Sequence, residues 1–280
     1  MVQFQCDYNE GAHPRILERM IQTNFEQTVG YGEDHFCEAA RSLIKKACGR
    51  EDADVHFLVG GTQANATVIS AALKPYQGVI CAHTGHINIH ETGAIEHGGH
   101  KVLAVPSENG KLSAEGLLRT IELHYEEDGP EHTVQPGMVY ISFSTETGTI
   151  YTLSELKAFR SICDRYGLPL FIDGARLGYG LASEGCDVTL QDIAAIADVF
   201  YIGGTKQRDD EQQFDQLPFQ AALGSFWGWL LSRLLLFSAI LRRLGRRRVP
   251  VALLGLLPGS VPLILLRRLG TITLIVHDGK

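Results

Sequence analysis

No two of the six cysteines (Cys6, Cys37, Cys48, Cys81, Cys163 and Cys186) form a CxxC pair. Neither a zinc site nor a compact disulfide framework is indicated, and reduced thiols of a cytoplasmic protein are the expectation. The opening residues, Met1 to Asp7, have neither the basic start nor the apolar core of a signal peptide, so no export is read there. Beyond the Lys45-Lys46 pair, basic residues do not cluster before Lys206. A nucleic-acid surface needs clustered cations to displace counterions from phosphates, and none is expected.

What is present is a globular composition: 45% hydrophobic and 20% charged residues, with 30 glycines and 10 prolines among 280 residues. That length suits one large domain, or a large one with a small companion. The net charge of −7 conceals a split. Residues 1–206 carry 15 Lys+Arg against 27 Asp+Glu, whereas residues 207–280 carry 10 against 5.

From Asp54 onward, strand-like apolar runs alternate with helical periodicity, the pattern of a doubly wound α/β fold around a mostly parallel sheet. Strands are expected near 55–59, 79–82, 101–105, 138–143, 168–172 and 199–202. Helices are expected from about Pro14, over 34–48 with Asp34 as cap and Gly49 as stop, and over 62–73, 87–96 and 113–125. A last one, over 154–166, has Ser154 as cap and Gly167 as stop. Ligands of such sheets bind beyond the carboxyl ends of the strands, so the residues just after each strand are where chemistry is sought.

Four segments stand there. Gly60-Gly61-Thr62-Gln63-Ala64-Asn65 follows the first strand and opens a helix; it is neither a Walker loop nor a GxGxxG turn, and it reads as a phosphate cradle or as a tight turn. Asp173-Gly174-Ala175-Arg176 puts a carboxylate at the end of a buried strand, serving a ligand or a local ion pair with Arg176. Gly203-Gly204-Thr205-Lys206 delivers a lysine after a strand; an amine that attacks carbonyls there must shed its proton near neutral pH. His86 and His90 are spaced as HxxxHE and not as the HExxH of a zinc protease, so no metal site is expected.

Together, in this order, these segments resemble the threonine aldolase and β-eliminating lyase family of pyridoxal phosphate (PLP) enzymes, over about Gln5 to Lys206. The resemblance implies the large domain of the PLP-dependent transferase fold (fold type I, the aspartate aminotransferase type). It implies Gly61 and Thr62 at the cofactor phosphate, His86 stacked on the ring and assisting proton transfer, and Glu91 in water-mediated proton removal. It places Asp173 at the pyridine nitrogen, Arg176 beside cofactor and substrate, and Lys206 on the cofactor aldehyde. The implied reaction cleaves β-hydroxy-α-amino acids such as threonine to glycine and an aldehyde, with β-elimination on the same fold as the alternative. A small-molecule amino acid substrate and a cytoplasmic homo-oligomer, dimer or tetramer, go with it.

The resemblance stops at Lys206. Nine arginines and one lysine lie beyond it, against eight and seven before it. The expected organisation is an N-terminal segment over 1–20, a PLP-binding large domain over 21–206 and an atypical Leu/Arg-rich tail over 207–280, read as out of frame or as a divergent but genuine C-terminal domain. If the tail is out of frame, the large-domain sheet lacks an edge element, and the chain is an inactive, truncated PLP-fold protein or a poor enzyme. The uncharged runs 217–232 and 249–266 approach the length of a membrane span, but Pro250, Pro258 and Pro262 interrupt the second, and no membrane anchor is expected.

Overall fold

The computed structural model describes residues 6–8, 11–204 and 206, and the backbone of 272–276. The chain divides into two compact units, 1–44 with 208–270 and 45–207 with 271–280. In the first, α1 (Pro14–Thr23) starts on a proline, which suits a first turn where no N–H is needed. α2 (His35–Cys48) is capped as expected, the Asp34 carboxylate accepting the Cys37 N–H at 2.9 Å. Its far end lies in the second unit, where Gly49 adopts a left-handed φ of 65° and the Arg50 N–H closes onto the Lys45 carbonyl at 3.0 Å.

The second unit is built on a seven-stranded sheet. Its strands are β1 (Asp54–Leu58), β2 (Gln77–Ala82), β3 (Lys101–Val105), β4 (Gln135–Ser142), β5 (Leu170–Asp173), β6 (Val199–Gly203) and β7 (Ile272–Val276), in the order β1-β7-β6-β5-β4-β2-β3. β3, β2, β4, β5 and β6 are mutually parallel. β7 runs antiparallel to both β1 and β6. The sheet therefore does not lack an element: a strand from the Leu/Arg-rich tail lies between β1 and β6. The rest of the tail, including both uncharged runs, lies outside the described residues, and among those no helix is long and apolar enough to cross a membrane.

Successive side chains of a strand point to opposite faces. Met138 and Tyr140 of β4, Phe171 of β5 and Tyr201 of β6 share the face covered by α3 (Gly61–Ala72), where Ala64, Val68 and Ile69 meet them. Each fully buried Ile or Phe contributes about 1.5–3 kcal/mol by leaving water. Asp173 is two residues beyond Phe171 and so faces the same way, which places a carboxylate at the rim of an apolar layer.

The remaining helices are α4 (His86–Ile89), α5 (Ala94–His97), α6 (Ala114–Glu126), α7 (Leu153–Tyr166), α8 (Leu177–Ala182) and α9 (Leu190–Ile196). α8 and α9 were not expected from the sequence, and two of the expected helices depart from the reading. The single helix expected over 87–96 is broken into α4 and α5, because Thr92 (φ 55°) and Gly93 (φ 70°) are left-handed. For a β-branched threonine that conformation is strained. The cap of α7 is Thr152 and not Ser154: the Thr152 hydroxyl and the Glu155 carboxylate exchange bonds with each other's backbone N–H. Gly167 ends α7 as expected, at φ 65°. We predict that Thr152→Ala lowers stability by about 1 kcal/mol and Ser154→Ala by less than about 0.5 kcal/mol in urea unfolding; equal losses would contradict this capping.

Candidate active site

The strand order reverses direction between β2 and β4: from β2 the chain goes outward to β3, then crosses to β4 and continues to β5 and β6. A crevice opens at such a switch beyond the carboxyl ends of the strands. The loops after β2 and β4 meet there. The His86 backbone N–H, at the start of α4, donates to Glu146 Oε1 at 3.0 Å, and the Ser142 hydroxyl at the end of β4 donates to the same oxygen at 2.6 Å.

Around that crevice a chain of hydrogen bonds joins four elements. His86 Nδ1 lies 2.8 Å from Glu91 Oε1, Asn65 Nδ2 of α3 donates to the same oxygen at 2.6 Å, and Nδ2 also lies 3.2 Å from Asp173 Oδ2 at the end of β5. The Tyr140 hydroxyl donates to Asp173 Oδ2 at 2.5 Å and the Ala175 N–H to Oδ1 at 3.0 Å. Tyr201, on β6, also faces Asp173, whose carboxylate acts on its hydroxyl. Asn65, Glu91, Tyr140, Asp173 and Tyr201 are all buried. The left-handed turn at Thr92-Gly93 is what sends Glu91 inward instead of continuing the helix.

Burial and then the Asp173 charge push the Tyr140 and Tyr201 hydroxyls well above the usual phenol range, so both stay neutral. Arg176, at the start of α8, opposes that rise at Tyr201 through its positive charge. His86 is raised above its ordinary value, first by its bond to Glu91 and further by the charges of Asp173, Glu91 and Glu146, against the opposing cost of burial.

Lys206 leaves the sheet three residues after β6 and is half-buried. The end of β6 that precedes it is held by two glycines. A Cβ on Gly174 would lie 1.8 Å from the Tyr201 carbonyl oxygen and one on Gly203 would lie 2.6 Å from that of Ala175, while the Gly203 N–H donates to the Gly174 carbonyl at 2.9 Å. Only residues without side chains let the turn after Asp173 clasp the end of β6 this closely. At the first strand, Gly61 and Thr62 form the N-terminus of α3, and Gly60 offers no side chain to cap its N–H groups and has open space where a Cβ would be.

The sequence-predicted residues thus stand at the carboxyl ends of β1, β2, β5 and β6, and hydrogen bonds bring His86, Glu91 and Asp173 together. Asn65, Tyr140, Tyr201 and Glu146 were not singled out beforehand. The site fits PLP on the chain's own evidence: Asp173 is an acceptor held by neutral donors, Glu91 Oε2 and Asn65 Oδ1 are buried without a partner, and uncapped N–H groups stand at the open end of α3.

The sheet is that of a known class of enzyme. The aspartate aminotransferase of Thermus thermophilus superposes with a TM-score of 0.55 at 17% identity, covering 70% of this chain and 50% of that one, a likeness of fold alone. The β-eliminating lyase family model matches residues 3–208, and the chain belongs to that family. It is 33% identical over 210 residues to the low specificity L-threonine aldolase of Pseudomonas sp. (strain NCIMB 10558), covering 73% of this chain and 58% of the relative. The Leishmania major threonine aldolase structure superposes with a TM-score of 0.69 at 48% identity, covering 71% of this chain and 57% of that one. The chain spans less than two thirds of the length of these relatives.

A raised histidine stabilises the fold in full below the ordinary histidine value of 6.5, and the contribution is lost as pH rises through the folded value. We predict that the His86 ring titrates above 6.5 by NMR and that Glu91→Gln moves it down; an unmoved titration would detach His86 from Glu91.

Proposed function

We propose that this chain is a PLP-dependent carbon–carbon lyase that cleaves β-hydroxy-α-amino acids such as threonine to glycine and an aldehyde. The observation that carries the reading is the buried chain His86, Glu91, Asn65, Asp173 at the switch-point crevice. The named relatives, both threonine aldolases, support the choice among PLP reactions.

Each residue has a role its chemistry fits. Gly61 and Thr62 hold the phosphate on the N–H groups of α3, with the Thr62 hydroxyl as a further donor. Asp173, ionised and surrounded by donors, holds a proton on the ring nitrogen. Lys206 bonds the aldehyde, and Arg176 stands beside cofactor and substrate. When bound, PLP supplies the electron sink that lets a bond to Cα break.

Cleavage requires removal of the β-hydroxyl proton as the Cα–Cβ bond opens and the C–O bond becomes a carbonyl. His86 is pulled toward its protonated form by Glu91 and the neighbouring carboxylates. Glu91 Oε2 is buried with no partner. We therefore assign proton acceptance to Glu91, directly or through a water, with His86 stacked on the ring and steadying the charge that develops. A cytoplasmic homo-oligomer, dimer or tetramer, belongs to the same reading, and sedimentation measures its size.

The test is the purified full chain with added PLP. Lys206→Ala should abolish the visible cofactor absorbance, and Asp173→Ala should weaken PLP retention and nearly abolish threonine cleavage. Acetaldehyde and glycine should form from threonine; release of ammonia in their place would favour β-elimination. Unchanged absorbance in Lys206→Ala would remove that lysine from its role.

A further inference from the structure

We infer that Asn65 is a positioning residue that ties the carboxylate beside the cofactor ring to the acid–base pair, its single side-chain NH₂ shared between Asp173 and Glu91. The inference rests on the PLP reading above.

The amide nitrogen carries two hydrogens, and the two acceptors within reach belong to different carboxylates: Glu91 Oε1 at 2.6 Å and Asp173 Oδ2 at 3.2 Å. The orientation of the amide follows from this. Turned over, its oxygen would face two carboxylate oxygens, with repulsion in place of both bonds. As it stands, Oδ1 is the end left buried without a partner.

Two carboxylates confined in one buried space repel, and the ordinary outcome is that one of them takes up a proton. A shared donor relieves that pressure without adding charge. Other groups serve one carboxylate each: Tyr140, Tyr201 and the Ala175 N–H face Asp173, and His86 faces Glu91. Glu146 and Arg176 act at the margin through His86 and Tyr201.

Asn65 is also placed independently of the ligand. It is fully buried on α3, in the same helix face as Ala64, Val68 and Ile69, which pack on the sheet. Core packing therefore sets the distance between the ring partner on β5 and the Glu91 turn that Thr92 strains inward. No other residue of similar size serves: aspartate would add a third negative charge, and leucine has no donor.

The experiment is a PLP titration of the full chain, followed by visible absorbance across pH, for wild type, Asn65→Leu and Asn65→Asp, with circular dichroism as the folding check. Asn65→Leu should weaken PLP about tenfold or more. Asn65→Asp is isosteric and carries the test if Asn65→Leu fails to fold. Its PLP affinity relative to wild type should recover on acidification, when a protonated Asp can donate one bond. If both variants match wild type, or if Asn65→Asp shows no such recovery, the inference is overturned. A wild-type chain that takes up no PLP overturns the underlying reading instead.

Discussion

Burying the Asp173 carboxylate is the constraint to which the rest of the site answers. An ionised group at the edge of an apolar layer is tolerated only when hydrogen-bonded on several sides. The donors come from a strand that flanks β5, from the helix above it and from its own turn: Tyr140, Asn65 and the Ala175 N–H. That is possible because β4, β5 and β6 are neighbours in the sheet and alternate in step, so one face carries Tyr140, Phe171 and Tyr201 while the strand end carries Asp173. The aromatic rings fill the layer, and the Tyr140 hydroxyl at its rim donates to the charge.

The second constraint is backbone proximity. Gly174 and Gly203 bring the turn after β5 against the end of β6, with carbonyl oxygens where side chains would otherwise be. The strand end that precedes Lys206 and the aspartate that ends β5 are thereby held by one piece of main-chain packing. Thr92 does the comparable work on the other side of the crevice, its strained left-handed turn exchanging a second turn of helix for an inward Glu91.

Much of this was legible beforehand. The six strands from β1 to β6 read clearly because continuous apolar runs bounded by turn residues have few alternatives, and their carboxyl ends were where function was sought. Asp173 and Lys206 were visible because a charge after a buried strand needs an explanation. The helix break at Thr92 was not, since Ile87 and Ile95 keep helical spacing while the Thr92-Gly93 turn interrupts it. Ser154 was taken for the cap of α7 because Ser and Thr compete two residues apart, and only the Glu155 partner three residues after Thr152 decides between them. Asn65, Tyr140 and Tyr201 read as members of a helix or strand. Their signal was a polar atom at a core-facing position, which must have a partner inside. β7, Ile272–Val276, is a mostly β-branched run without arginine and so strand-like in composition, but it was passed over because all of 207–280 was read as foreign to the fold.

The position of the site separates two properties that usually travel together. Every residue proposed to hold the cofactor lies between Gly61 and Lys206, within the second unit. β7 lies between β6 and β1 and pairs with both, so it supports the strand before Lys206 and the strand before Gly61. On the proposed reading, cofactor retention depends on the network around Asp173 and on the Gly174–Gly203 clasp. Turnover asks for more, because a substrate amino acid brings its own carboxylate, whose partner is a further cation. Arg176 is an arginine whose charge acts on Tyr201, beside Asp173. If it alone serves the substrate, binding and cleavage survive together. If a cation from outside residues 61–206 is required, the chain holds PLP and cleaves poorly, and the two activities part at the boundary where the resemblance ends.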